Sequence, residues 1–124
     1  MASLSEVTRL KVRIADVAGE FASSPDDGQQ IYERIRPELR EGHTVLLDFT
    51  GVRVIASPFL NMAVGRLLED DPYGDLPDRI ETTGLSAHDT TLFERVIANA
   101  RDYYGNPVTR RATDRAFANV AQDL

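Results

Sequence analysis

Residues His43-Thr44-Val45-Leu46-Leu47-Asp48-Phe49 form a nearly continuous apolar run with β-branched members, the pattern of a strand covered on both faces by helices. A strand of this kind needs helices in sequence before and after it, and the flanking segments supply them. On the amino-terminal side Ile31, Ile35 and Leu39 recur at four-residue spacing with Tyr32 beside them, which predicts a helix over roughly Gln29 to Glu41. Pro37 lies inside that span and removes a backbone donor, so a kink or break is expected near Arg36, with Gly42 as the stop. Ahead of it the turn formers Ser23-Ser24-Pro25-Asp26-Asp27-Gly28 separate the helix from a first strand. In that strand, Leu10 to Val17, apolar Leu10, Val12 and Ile14 alternate with Lys11, Arg13 and Ala15.

On the carboxyl-terminal side a turn at Thr50-Gly51 and an extended piece from Val52 to Ala56 lead into a second helix. Its predicted N-cap is Ser57, its first helical residue Pro58, and its end about Leu68. Advancing about 100° per residue places Leu60, Ala63, Val64, Leu67 and Leu68 on one stripe and leaves Phe59, Met62 and Arg66 on the other side. A loop from Asp70 to Asp78 precedes a third strand, Arg79 to Thr83. A capping box at Ser86 and Asp89 opens a third helix carrying Leu92, Phe93, Val96, Ile97, Ala100 and Tyr104, stopped by Gly105-Asn106-Pro107. The strand and helix alternation predicts an α/β domain over residues 1–107, with a mainly parallel or mixed central sheet and helices packed against it. Residues 108–124 form a C-terminal extension with a weak helical pattern in Ala116, Phe117 and Val120.

Composition narrows the function. The 124 residues include no cysteine, which excludes disulfides, thiolate metal sites and cysteine nucleophiles. A net charge of −6 disfavours nucleic acid as a partner, since that affinity draws on clustered Lys and Arg. No apolar run approaches the roughly 20 residues that span a bilayer, and no signal-peptide pattern opens the chain, so a cytoplasmic location away from membranes is expected. The glycines fit neither the dinucleotide fingerprint nor the phosphate-binding loop, so no cofactor is assigned. His43 and His88 lack the paired helical spacing of a metal site, and no serine stands in a nucleophile elbow; no catalytic residue and no metal ligand are assigned, and both histidines read as surface or boundary residues. Glu69, Asp70 and Asp71, like Asp26 and Asp27, read as solvated acids at loop and turn positions. Ser57 is the position of most interest. At a helix start its hydroxyl either satisfies an orphan amide or presents a site where backbone donors would stabilise an added phosphate.

The stretch from Val45 to Leu60, Val-Leu-Leu-Asp-Phe-Thr-Gly-Val-Arg-Val-Ile-Ala-Ser-Pro-Phe-Leu, resembles the core signature of STAS domains, the fold of bacterial anti-sigma-factor antagonists. More closely, the chain resembles the STAS-like family of unknown function, over roughly Leu10 to Ala100. In this resemblance Asp48 falls on the aspartate that ends the strand, Thr50 on the small hydroxyl residue after it, and Ser57 on the serine that regulatory kinases phosphorylate in antagonist proteins. Thr82-Thr83-Gly84-Leu85 falls on the turn before the last helix. Ala56 stands where those proteins carry Asp, and Pro58-Phe59 where they carry Ser-Gly. The resemblance implies a regulatory module, not an enzyme, that docks on another protein such as a histidine-kinase-like ATPase through the surface around the start of the second helix. Ser57, Phe59, Met62 and Arg66 are the expected contact residues, with Asp48 and Thr50 in support and Ser57 as the phosphorylation candidate. Two rival readings remain: a binder of a small anionic ligand or nucleotide, or an enzyme, using the helix start at Ser57 with Asp48 as the only nearby base; and a self-associating structural domain.

Overall fold

The computed structural model describes residues 9–106. Three strands, β1 (Arg9–Arg13), β3 (Thr44–Asp48) and β5 (Ile80–Thr83), form a wholly parallel sheet in the order β1-β3-β5, so the apolar run is the central strand. Two very short strands, β2 (Phe21–Ala22) and β4 (Val54–Ile55), pair in parallel as a separate ribbon. The helices are α1 (Ile14–Ala18), α2 (Pro25–Arg40), α3 (Ser57–Ala63) and α4 (Ala87–Gly105), with 3-10 turns at Gly65–Leu68 and Leu76–Arg79. No helix among the described residues is long and apolar enough to cross a membrane.

Register assigns each sheet residue to a face. Val12 is opposite Leu47, Leu10 opposite Val45, and Val45 opposite Ile80, and this row closes over the core with α2 and α3. The alternate row holds Lys11, Arg13, Glu81 and Thr83, all exposed, with Leu46 half-buried among them. Among the described residues the sheet therefore has one covered face and one wet face, where the sequence run led us to expect helices on both. Leu46 alone carries the apolar character outward; Arg9 reaches across it to Glu81.

The first strand is shorter than expected. Ile14, Val17 and Ala18 sit three and four residues apart, and this helical period, hidden inside an alternating run, turns the chain into α1 after Arg13. Helix α2 starts four residues before the expected Gln29, because Ser24 is its N-cap, accepting a hydrogen bond from the Asp27 N–H at 3.1 Å, with Pro25 in the first turn. What reads as a cluster of turn formers is a helix start. The helix runs unbroken through Pro37, which lies on the exposed side three residues before its end. Ser86 caps α4 as expected, accepting from the Asp89 N–H at 3.0 Å. Helix α4 ends at Gly105, and the C-terminal extension, residues 108–124, lies outside the described residues.

Helices α2 and α3 approach closely at Gly28. A Cβ built there would lie 2.4 Å from the Phe59 carbonyl oxygen and 3.0 Å from Met62 Cβ, so only glycine permits this contact. Phe59 thereby points into the core, where it is fully buried together with Leu60, Ala63 and Val64.

Candidate functional site

The carboxyl ends of parallel strands are where α/β sheets place ligand and partner contacts, and here that end is organised by Asp48. It closes β3 and is the one charged side chain buried among the described residues, 8 % exposed. The Thr50 N–H donates to Asp48 Oδ1 at 2.9 Å, and Lys11 Nζ on β1 lies 3.6 Å from Oδ2. Hydrogen bonds from the Thr50 side chain, then from its backbone, hold the Asp48 carboxyl below its ordinary range, and Lys11 adds to this against the cost of burial. Gly84, at φ 82°, follows β5 and packs on the same turn: a Cβ there would lie 2.6 Å from the Thr50 nitrogen. Asp48 and Thr50 thus meet in a turn that links all three strands of the sheet.

Ser57 lies beyond the ribbon strand β4, on the exposed start of α3. It is not the N-cap. Ala56 occupies that position in extended conformation, its N–H bonded to the Ala22 carbonyl at 3.0 Å, so strand pairing runs one residue further than the sequence suggests and moves Ser57 into the first turn. No hydrogen bond of the Ser57 hydroxyl is present among the described residues. Helix α3 has only seven residues, and Pro58 in its first turn lacks an N–H, so the anion-binding reading of this helix start loses one donor and much of its dipole.

The expected contact face of α3 is largely taken by the protein itself. Phe59 is fully buried and cannot meet a partner. Met62 is half-buried against α2 at Gly28. Arg66 is also half-buried: its guanidinium stacks 4.8 Å from the centre of the Tyr32 ring, and Nη1 donates to Gln29 Oε1 at 2.8 Å. The stripe Leu60, Ala63, Val64, Leu67 and Leu68 is buried as expected, but α3 also packs sideways on α2, and a helical wheel with a single inward direction misses this second contact. The helix also ends earlier than Leu68, passing at Val64 into the 3-10 turn.

The aromatic group that does reach solvent here is Phe21. It is 57 % exposed and stands opposite Val54, 46 % exposed, across the β2–β4 ribbon, three residues before Ser57. Glu20 and Arg53 flank the pair and meet each other at 3.3 Å. Sequence reasoning passed over Phe21 because it lies between two turns with no periodic neighbours. The acids after α3 are exposed, as expected, and one of them takes a partner: Asp70 pairs with Arg36 at 3.0 Å, beside a cleft of about 260 Å³ that Arg40, Asp75 and Arg79 also line.

Comparison with known families bears on the arrangement from the start of α2 through α3 to the first turn of α4. Residues 27–90, more than half of the chain, match the family described as a STAS-like domain of unknown function (DUF4325). The chain belongs to this STAS-like family. The parallel sheet with helices packed against it agrees with that fold. Neither the curated proteins nor the solved structures contain a significant match. The matched segment of the STAS-like domain holds Asp48, Thr50, Ser57 and Gly84, so the whole carboxyl-end turn and the start of α3 fall inside it; Phe21 falls outside.

Proposed function

We propose that this STAS-like domain is a regulatory protein-docking module whose contact surface is the β2–β4 ribbon with the start of α3: Phe21, Val54 and Ser57. The observation that carries the reading is the paired exposure of Phe21 and Val54 directly ahead of Ser57; among the described residues Tyr73 is the one other large apolar side chain that is exposed. Aromatic groups are enriched at protein interfaces, which makes Phe21 the anchor and Val54 its apolar neighbour. The partner that the family resemblance suggests is a histidine-kinase-like ATPase in the cytoplasm. Ser57 is the candidate switch: its hydroxyl is exposed and uncommitted to a cap, and a phosphate there would set about two negative charges beside the apolar pair. Phe59 and Met62 of α3, and Arg66 in the 3-10 turn after it, support the surface from inside and do not form it.

The test is capture of partners from the native host with the immobilised full chain, comparing wild type with a Phe21→Ser/Val54→Ser double variant. The expected result is a specific protein retained by wild type and lost by the double variant, with thermal stability nearly unchanged because both side chains are already exposed. Equal retention by both overturns the surface. For the switch, Ser57→Asp and Ser57→Ala must differ in retention; equal binding removes phosphorylation from the proposal and leaves docking intact.

A further inference from the structure

At the opposite end of the central strand from Asp48, α2 ends and the chain turns back into β3. Three potential metal ligands converge there: Glu38 on the last turn of α2, Glu41 just beyond it and His43 at the entry to β3, with one donor atom from each lying within 4.8 Å of the others. His43 Nδ1 is 2.9 Å from Glu38 Oε1 and 3.9 Å from Glu41 Oε2. Ligands about 2.1 Å from a tetrahedral metal stand roughly 3.4 Å apart, and the two separations bracket that value. We propose that Glu38, Glu41 and His43 bind a divalent transition-metal ion of the zinc type.

The backbone holds the set in place before any ion arrives. Gly42, at φ 89°, reverses the chain, and the His43 N–H donates to the Glu38 carbonyl at 3.0 Å, which folds the imidazole back over the helix end. Arg79, from the turn before β5, donates to the Leu39 and His43 carbonyl oxygens and fixes both sides of the reversal. Its own charge is met by Asp75 at 3.5 Å, which limits its repulsion of a cation. The C-terminal end of the 16-residue α2 adds negative potential, and two carboxylates balance a doubly charged ion. One imidazole and two carboxylates suit zinc, cobalt or nickel; calcium and magnesium prefer six or more oxygens, which three side chains do not provide. The Glu38 and His43 side chains are about one-third exposed or less, and Glu41 faces solvent, so the ion enters from the Glu41 side and keeps open positions for water. The sequence did not suggest the site because a search for two histidines one helical turn apart overlooks a ligand set that straddles a helix end.

The experiment uses the tag-free full chain, stripped with a chelator, titrated calorimetrically with zinc chloride and in parallel with magnesium and calcium chloride. The histidine side-chain nitrogens are followed by NMR. With only two histidines in the chain, His88, exposed in the first turn of α4, serves as the internal control. The expected result is one zinc bound per chain, perturbation of the His43 imidazole and not of His88, no response to magnesium or calcium, and at least about tenfold weaker binding in both Glu38→Gln and Glu41→Gln. Glu41 is exposed, so Glu41→Gln leaves the fold intact and its affinity reports on ligation alone. No stoichiometric binding at micromolar zinc, perturbation centred on His88, or unchanged affinity in the two glutamine variants overturns the proposal.

Discussion

Three serines stand at helix starts among the described residues, and their side chains do different things. Ser24 and Ser86 each accept a hydrogen bond from the backbone N–H three residues on, while Ser57 accepts none because Ala56 holds the cap position. Replacing Ser24 or Ser86 by alanine should therefore cost about 1 kcal/mol each, and Ser57→Ala should stay within about 0.5 kcal/mol of wild type, as read from urea unfolding. An equal loss at Ser57 would mean that its hydroxyl does cap α3. Serine before an apolar helical pattern, with proline beside it, looks alike at positions 24 and 57; what separates them is the pairing of Ala56 with Ala22 across a two-residue ribbon, a long-range contact that no local pattern encodes. The position of Ser57 near a helix start was legible in the sequence, but its freedom from capping was not. Phe59 shows the same limit in reverse: its place off the Leu60 stripe is visible, and its burial depends on a neighbour more than thirty residues earlier.

That neighbour is Gly28, and at the scale of elements the α2–α3 contact decides which face of α3 is available. Gly28 is buried with its Cα against the Phe59 carbonyl, so the two backbones approach more closely than a methyl group permits. Gly28→Ala should destabilise the protein by about 1–3 kcal/mol, the usual range for overpacking, even though alanine has the higher helix propensity. A thermal or urea unfolding series on this variant gives the answer; a neutral or stabilising outcome would show that α3 can slide away without loss. The same contact explains Met62 and Arg66. Both face α2, Met62 from α3 beside Gly28 and Arg66 from the following 3-10 turn stacked on Tyr32, so they tie this segment to α2 and leave the docking surface to the ribbon. The central strand, the capping of α4 and the buried stripe of α3 were legible because each depends on near neighbours in sequence. The start of α2 was not, since serine, proline and aspartate serve turns and helix caps equally well, and only the direction of the chain after Pro25 distinguishes them.

For the molecule as a whole, a parallel sheet with one wet face needs a means of fixing its exposed end, and Asp48 supplies it. The carboxylate reaches Thr50 in the turn after β3, Lys11 on β1, and through Thr50 the Gly84 turn after β5, so one ionised group joins the carboxyl ends of all three strands. Its pKa is lowered in the folded protein, first by the Thr50 side chain and then by the Thr50 amide. A carboxylate whose folded pKa lies below its unfolded value adds stability that is fully present above the unfolded value, near 4, and that disappears as pH falls through the folded one. Asp48→Asn keeps the shape and an oxygen acceptor for the Thr50 N–H but removes the charge. Wild type should therefore exceed Asp48→Asn in unfolding midpoint by a constant margin at neutral pH, and the margin should narrow steadily below about pH 4. Urea midpoints of both proteins across that range test it. A margin independent of pH would mean that Asp48 acts through shape alone, and the three strand ends would then owe their alignment to the apolar row on the covered face, Val12, Leu47 and their neighbours.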